Sequence, residues 1–332
     1  MKERLVCLNL REDRPRLMPP PERAALCLGN FDGVHRAHTS LLREGIRLAT
    51  ELTANGRGEG GERDVLCGVF CFFKPSIDHL PGRGERPLHL TSLREKLRLL
   101  AEAGMDFAYL CPFPDVRDMS PEAFISLLRA RCGCVGVACG FNFRFGYRAE
   151  GTASLLASAF GEERTVILPA MELDGDVVSA TRIRACLLRG DVEAAERLLG
   201  RPYALETTVA HGKQLGRSIG FPTANQYFLA ESIIPAHGVY AVLCHTPAGV
   251  FPGVANVGNH PTVDTDARVN CETYIIGYNG DLYGHRMRVE LLTFLRPEQK
   301  FADLPALTAA IRRDAERAKA YVQNRFSTTQ FI

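Results

Sequence analysis

Two histidines three residues apart, His35 and His38, follow a glycine-rich turn and are the first candidates for chemistry in this sequence. The turn spans residues 29–33 and comes directly after the apolar run AALCL, and a helical pattern then continues from about His35 to Leu52. Ligand phosphates bind at the start of such a helix, where backbone N–H groups are free. Two imidazoles on one helical face could also donate hydrogen bonds to a phosphate group as its charge redistributes. A pair of surface histidines has the same spacing, so the turn in front of the pair is what favours a phosphate site.

Two later segments carry side chains that suit a nucleotide or a flat ring. Residues 140–148, GFNFRFGYR, place three phenylalanines at alternate positions, and this pattern could pack an aromatic ligand or fill the core. Residues 179–184, SATRIR, combine a capping serine with Thr181 and Arg182 in the first turn of a helix. Hydroxyl, guanidinium and N–H groups together suit a triphosphate, although the segment alone is more typical of a capped surface helix.

A glycine-rich stretch, residues 211–225, contains three glycines within fifteen residues of the second half of the chain. Glycine permits left-handed turns and a close approach of the backbone to phosphate. The spacing fits neither a P-loop nor the glycine-rich loop of protein kinases. The stretch therefore predicts either a flap over phosphates or a long loop of a barrel.

Three oxygen-bearing side chains near this stretch could hold a metal ion and move a proton. Thr223 and Asn225 lie two residues apart, so on an extended chain both point the same way. Mg²⁺ accepts hydroxyl and amide oxygens alongside substrate phosphates. Glu272, in NCETY, is a candidate general base, because a carboxylate on an apolar strand costs free energy of desolvation unless it is paired or functional. A strand glutamate that simply faces solvent is the alternative.

The elements that must position these groups follow two different patterns. In the first half, apolar runs at residues 24–29, 65–73, 107–110 and 134–139 alternate with helical segments, two of which start at Ser92 and at Ser120-Pro121. This order predicts an α/β fold with a doubly wound, Rossmann-like parallel sheet and helices on both faces.

Beyond residue 200, short β-rich segments separated by turn residues predict an antiparallel β-barrel with a terminal helix over about residues 305–324. These segments are ALETTVA, GVYAVLC, FPGVANVG, CETYIIGY and RVELLTFL. We therefore predict an α/β domain over residues 1–186, a helical linker region over 187–200 and a barrel domain over 201–332.

Composition excludes several classes of protein. The 332 residues carry 40 basic and 38 acidic side chains, a net charge of +2, which favours neither nucleic acid nor an anionic membrane as partner. The sequence has neither an apolar run long enough to span a bilayer nor a secretory pattern at its N-terminus. The eleven cysteines include no C-x-x-C pair, which indicates reduced thiols and predicts a cytoplasmic location. Oligomeric state is not indicated.

The motifs, in this order, resemble the bacterial bifunctional riboflavin kinase/FAD synthetase family. The three segments of the first half resemble its FMN adenylyltransferase domain, which is related to nucleotidyltransferases with a His-x-Gly-His signature. The stretch LTSLREKLRLLAEAGMDFAYLCPFP is similar to the region that connects them. The pattern GKxxGRxxGFPTAN resembles the riboflavin kinase signature, as do GVY at 238–240, GVANVG at 253–258, PT at 261–262, LYG at 282–284 and LR at 295–296 before KF at 300–301.

The resemblance implies two ATP-dependent reactions, from riboflavin to FMN and from FMN to FAD, with Mg²⁺ as cofactor and riboflavin, FMN, FAD and ATP as small-molecule partners. It assigns catalysis to Glu272, His35 and His38, and Mg²⁺ binding to Thr223 and Asn225. The expected nucleotide-binding residues are Gly29, Asn30, Phe31, Asp32, Asn142, Thr181, Arg182, Gly212, Lys213, Gly216, Arg217, Gly220 and Pro222. The expected flavin-binding residues are Phe143, Phe145, Tyr283 and Arg296.

Two other hypotheses remain open at this point. Ala37, Ala180 and Ser76 depart from the family pattern in the first domain, so the chain could be a riboflavin kinase with a degenerate adenylyltransferase domain. A flavin-binding regulator without catalysis would instead bind flavin tightly and turn over no ATP. The complete set of Thr223, Asn225 and Glu272 argues against the regulator.

Overall fold

The computed structural model describes residues 6–11, 15–56, 64–72, 88–212, 216, 219–259 and 269–326. It divides the chain into two units, Met1–Ala180 and Thr181–Ile332. Helices α6 (Ala180–Leu188) and α7 (Val192–Leu199) lie at the start of the second unit. The domain limits expected from the sequence remain a prediction.

Strands and helices alternate through most of the first unit. The strands are β1 (Val6–Asn9), β2 (Arg16–Leu17), β3 (Ala24–Leu28), β4 (Leu66–Phe72), β5 (Phe107–Cys111), β6 (Cys134–Gly140), β7 (Arg144–Phe145), β8 (Gly151–Thr152), β9 (Thr165–Leu168), β10 (Glu172–Leu173) and β11 (Asp176–Val177). The helices are α1 (Arg36–Gly56), α2 (Leu93–Glu102), α3 (Phe113–Arg117), α4 (Pro121–Cys132) and α5 (Ala153–Phe160).

A seven-stranded sheet in the order β2-β1-β5-β4-β3-β6-β9 is the centre of this unit. Strands β5, β4, β3, β6 and β9 pair in parallel. At one edge, β1 pairs antiparallel with both β5 and β2. Successive residues of β3 are buried on opposite faces: Leu26 packs in the layer of α4 and α5, and Cys27 in the layer of α1 and α2. The predicted doubly wound sheet with helices on both faces is therefore confirmed.

Helix ends in this unit follow the capping chemistry expected from the sequence. The Ser92 hydroxyl accepts a hydrogen bond from the Glu95 backbone N–H at 3.2 Å, and this fixes the start of α2. The Ser120 hydroxyl caps α4 in the same way through the Ala123 N–H, and Pro121 occupies the first turn of that helix. These caps set where each helix leaves the edge of the sheet.

The second unit is an antiparallel sheet with one long helix. Its strands are β12 (Tyr203–Thr208), β13 (Thr223–Tyr227), β14 (Gly238–Thr246), β15 (Gly249–Asn259), β16 (Val269–Ile275) and β17 (Arg286–Arg296), in the order β12-β17-β14-β15-β16-β13. The terminal helix, α8 (Leu304–Arg325), packs Ala318 and Val322 against β14, β15 and β17. The predicted antiparallel architecture and terminal helix are confirmed.

Hydrogen bonds bring the two outermost strands of this sheet together. The Ala210 N–H donates to the Asn225 carbonyl at 2.8 Å, and the Gln226 amide donates to the Thr207 carbonyl at 2.9 Å. The same amide donates to the Met287 carbonyl at 2.7 Å. The sheet is therefore curved into a partial barrel, with Gln226 bonded across its interior.

Among the described residues, none of the helices has the length and apolar character that a bilayer span needs.

Candidate functional sites

The loop between β3 and α1 has a backbone conformation that few L-residues adopt. Phe31, Gly33 and Val34 have φ angles of 50°, 79° and 38°. Positive φ is costly for a β-branched residue such as Val34, and strain of this kind concentrates at functional sites. The loop lies at the carboxyl end of β3, where ligands bind in doubly wound sheets.

A buried carboxylate holds this loop in place. Asp32 is only 4% exposed and accepts hydrogen bonds from the backbone N–H groups of Leu90 at 3.0 Å and Thr91 at 3.3 Å. The Thr91 hydroxyl in turn accepts from the Gly33 N–H at 3.1 Å. Because its oxygens accept bonds from the protein, Asp32 supports the loop, and its predicted role as a nucleotide-binding residue remains a prediction.

His35 and His38 form a stacked pair at the start of α1. Their ring centroids lie 3.7 Å apart with an interplanar angle of 14°. The His38 backbone N–H donates to His35 Nδ1 at 3.4 Å, so a neutral His35 carries its proton on Nε2. Burial, together with the nearby charges of His35 and Lys96, lowers the pKa of His38 well below its ordinary value. The pair therefore contains a neutral imidazole at neutral pH, which can donate one N–H to an anion.

The other first-half candidates differ in exposure. Asn142 is exposed in the turn after β6, and Phe143 is half-buried. Phe145 is buried and packs its ring 5.1 Å from that of Phe124 in the core. Phe143 stacks on Phe145 at 5.9 Å, so of the two predicted flavin residues Phe143 is the one nearer the surface. Thr181, which is exposed, and Arg182, which is half-buried, lie in the first turn of α6, in the second unit.

In the second unit, one row of residues crosses five strands and contains both Asn225 and Glu272. The row runs through Asn225, Glu272, Asn256, Val239 and Arg296, each paired with the next across neighbouring strands. Residues directly opposite in antiparallel strands point to the same face, and so do residues two apart on one strand. The structure therefore brings Thr223, Asn225 and Glu272 together on one face.

The opposite face of β16 fills the barrel interior: Cys271 and Thr273 are fully buried, whereas Glu272 is half-buried. Asn225 is buried, and its Oδ1 accepts a hydrogen bond from the Asn270 amide at 3.3 Å. Glu272 therefore lies outside the apolar core, where a substrate hydroxyl could reach it. Its predicted role stays a prediction.

Two glycines of the flap lie against the predicted metal ligands. A Cβ atom on Gly212 would overlap the Asn225 amide, and one on Gly216 would overlap the Phe221 carbonyl and lie 3.5 Å from the Thr223 hydroxyl. Gly220 has a φ of 83°, which only glycine adopts without strain. Close approach, rather than flexibility alone, accounts for the first two glycines.

The predicted flavin residues of the second unit occupy different surroundings. The Tyr283 ring stacks on His211 with centroids 3.9 Å apart, at the start of the flap. The Arg296 guanidinium forms an ion pair with the buried Asp314 of α8 at 2.8 Å and lies 5.5 Å from the centre of the Phe301 ring. Pro222 is exposed at the end of the flap. Lys213, Arg217 and Ser76 lie outside the described residues.

Sequence reasoning missed the groups that support the β3–α1 loop. Thr91 and Lys96 belong to the segment predicted to start a helix with a capping box and similar to the family's connecting region, but neither residue was given a role. The Lys96 ammonium donates to the Asn30 carbonyl at 2.9 Å. The signal available in the sequence was a lysine within the apolar face of that helix. Among the described residues, no group of three or more His, Cys, Asp or Glu side chains could hold a metal ion.

Comparison with known proteins agrees with this geometry. Residues 18–182 match the family described as FAD synthetase, and residues 199–322 match the family described as riboflavin kinase. The chain is 39% identical over 312 residues to a bifunctional riboflavin kinase/FMN adenylyltransferase of Escherichia coli K12, an alignment that covers 91% of this chain and 94% of that protein. It is 30% identical to the Bacillus subtilis enzyme of the same description, with coverages of 91% and 93%.

A solved structure gives the same result for the fold. A Streptococcus pneumoniae protein described as a macrolide-efflux protein superimposes with a TM-score of 0.79 at 28% identity, over 94% of this chain and 97% of that one. The two family matches cover both units in sequence order, and the curated relatives are matched over nearly their whole length. The chain belongs to the family of bifunctional riboflavin kinase/FMN adenylyltransferases.

Proposed function

We propose that the second unit phosphorylates riboflavin to FMN, that the first unit adenylylates FMN to FAD, and that ATP is the co-substrate of both reactions. The observation that supports this proposal most is the presence of two chemically different clusters of side chains in one chain. One is a strained loop with paired imidazoles at a helix start, and the other is a row with a carboxylate beside a glycine flap. The family matches assign one activity to each half.

In the kinase reaction the nucleophile is the neutral 5′-hydroxyl of the ribityl chain, whose proton must leave as its oxygen attacks the γ-phosphorus of ATP. Glu272 takes this proton, and the bridging oxygen between the β- and γ-phosphates leaves with ADP. Asn225 and Asn256 lie on either side of Glu272 in the row, and the Asn256 amide donates to the Glu298 carboxylate at 2.9 Å. The face that carries Glu272 then has two tasks, which are to position the substrates and to accept one proton.

The donor set on β13 fits Mg²⁺. Thr223 and Asn225 supply a hydroxyl and an amide oxygen on one face, and Glu272 lies opposite Asn225. Magnesium prefers such oxygen ligands, uses few protein groups and completes its coordination with substrate phosphates and water. Thr223 and Asn225 would hold the ion, which when bound neutralises phosphate charge. Gly212 and Gly216 let the flap approach these two residues.

In the adenylyl reaction the nucleophile is the phosphate of FMN, which is already ionised, so no base is required. An oxygen of this phosphate attacks the α-phosphorus of ATP, and pyrophosphate leaves. The difficulty is to bring two anions together and to stabilise charge on the leaving group. His35, His38 and the N-terminal end of α1 perform this task, and Thr181 and Arg182 remain predicted nucleotide-binding residues.

We also propose a cytoplasmic location. All eleven cysteines are buried and none forms a disulfide, and burial raises the pKa of several of them, such as Cys271 to about 11. Reduced structural thiols of this kind are typical of a reducing compartment.

Two separate incubations test the proposed function. Riboflavin with MgATP should give FMN, and supplied FMN with MgATP should give FAD and pyrophosphate. FMN formation without any FAD from supplied FMN would favour the kinase-only hypothesis. Tight flavin binding without any ATP turnover would favour the regulator instead.

A further inference from the structure

Lys96 is a buried cation beneath the β3–α1 loop. It lies in the second turn of α2 and is only 3% exposed. The Lys96 ammonium donates to the Asn30 carbonyl at 2.9 Å, so it lies next to the loop that leads to the histidine pair. Its positive charge contributes to lowering the pKa of His38.

No carboxylate in the described part of the chain forms an ion pair with Lys96. The neighbouring carboxylate of Glu95 pairs with Arg98 at 2.8 Å, and Asp32 accepts its bonds from Leu90 and Thr91. A buried ammonium without an anion is unfavourable, because a single hydrogen bond to a carbonyl does not replace its hydration. Within the described residues, this ammonium therefore has no carboxylate to compensate its charge next to the strained loop.

If the first unit binds ATP, the phosphates of ATP can supply an anion to Lys96. A neutral side chain could donate the same hydrogen bond to Asn30, so the loop conformation alone does not require a cation. Phosphate oxygens placed over the loop would supply negative charge to the ammonium, which has three N–H groups and uses one of them for Asn30 within the described part of the chain. Lys96 would then act together with the imidazoles on the same phosphates.

We propose that Lys96 is a phosphate-binding residue of the adenylyltransferase site, with its charge compensated by the polyphosphate of ATP and by the pyrophosphate that leaves. This inference rests on the proposed function of the first unit. If the proposal holds, the contribution of Lys96 to substrate binding depends on the phosphate charge of the substrate. A residue that only supports the fold would not show this dependence.

The variants Lys96→Met and Lys96→Arg test this proposal in the full-length protein. The probe is pyrophosphate in the reverse reaction, FAD plus pyrophosphate to FMN plus ATP, because only the adenylyl site uses it. Lys96→Met should raise the KM for pyrophosphate, and the KM for ATP in FAD formation, about tenfold or more, with the KM for FAD nearly unchanged. Lys96→Arg should restore most of the loss. The dependence of kcat/KM on ionic strength should also be weaker in Lys96→Met.

Three controls separate the possible outcomes. Arg98→Met removes a half-buried charge, paired with Glu95 and Glu102, from the same helix and should leave both KM values unchanged. Thermal unfolding followed by circular dichroism reports that the first unit of each variant is folded. If Lys96→Met raises the KM for FAD as much as that for pyrophosphate, or leaves both unchanged, the proposal for Lys96 is wrong. If the wild-type protein makes no FAD, or His38→Ala makes it at the wild-type rate, the proposed function of the first unit fails instead.

Discussion

Replacement of Glu272 by glutamine removes the proposed base of the kinase reaction and keeps the shape of the side chain. Glu272 is half-buried on the outer face of β16, between Asn225 and Asn256, and a glutamine has nearly the same size as the glutamate it replaces. The fold should therefore tolerate Glu272→Gln with a small change in stability. The substitution should instead slow the proton transfer of the kinase reaction.

A positioned general base contributes about 10²- to 10⁴-fold to rate. At 1.36 kcal/mol per factor of ten, the barrier should rise by about 2.7–5.4 kcal/mol. We expect kcat for FMN formation to fall by this factor, and the KM for ATP to change little, because the flap and the residues Thr223 and Asn225 are untouched.

The assay is the initial rate of FMN formation from riboflavin and MgATP, quenched and separated by chromatography. FAD formation from supplied FMN, measured on the same preparation, should stay at the wild-type rate. Glu206→Gln is the matched control, because Glu206 lies on β12 of the same sheet and pairs with Arg286 at 3.3 Å. A Glu272→Gln variant that keeps more than about a tenth of the wild-type rate, or that loses both activities equally, would refute the assignment.

Three further predictions follow from other parts of the structure. His38→Ala should lower FAD formation from FMN by about 10²-fold, because a donor to the leaving phosphates is lost, and should leave FMN formation unchanged in the same assays. Gly212→Ala should raise the KM for ATP in the kinase reaction, because the added methyl group collides with the amide of a predicted metal ligand on β13. For Glu290, burial raises the pKa, but hydrogen bonds and charges from His245 and Arg288 outweigh it and lower the pKa below 4.5. The stabilisation from this carboxylate is therefore fully present above pH 4.5 and is lost as the pH falls through the lowered value, so chemical denaturation should show a gap between wild type and Glu290→Gln that closes in acid.

Each of these has a result that contradicts it. Wild-type FAD formation by His38→Ala would remove His38 from the site. An unchanged KM for ATP in Gly212→Ala would show that the flap does not need close approach to β13. A gap between wild type and Glu290→Gln that widens in acid would mean that the carboxylate opposes folding.

Local chemistry explains why much of the fold could be predicted. The run AALCL must be buried on both faces, and Ser92 and Ser120 carry their own capping partners, so β3, α2 and α4 follow from nearest neighbours. Strand β13 was not predicted as a strand, because TANQY has no alternation of apolar and polar residues and is extended only through its pairing with β16.

The candidate sites depended on contacts between distant parts of the chain. Asn225 and Glu272 are directly opposite because of the register between two strands, and no local pattern specifies that register. Lys96 looks like one charge in an ordinary helix until the fold buries it under Asn30. Phe143 and Phe145 occupy equivalent alternate positions in the sequence, and only the packing of the core shows that Phe145 is the buried one.

We infer that this chain carries two separate ATP-dependent sites that act in sequence on the same flavin. A quenched time course from riboflavin and MgATP, resolved into riboflavin, FMN and FAD, would show whether they do. FMN should rise first and FAD should follow, and Glu272→Gln should form neither product from riboflavin yet still make FAD from added FMN. Accumulation of FMN without FAD, or FAD formation from riboflavin by Glu272→Gln at the wild-type rate, would contradict it.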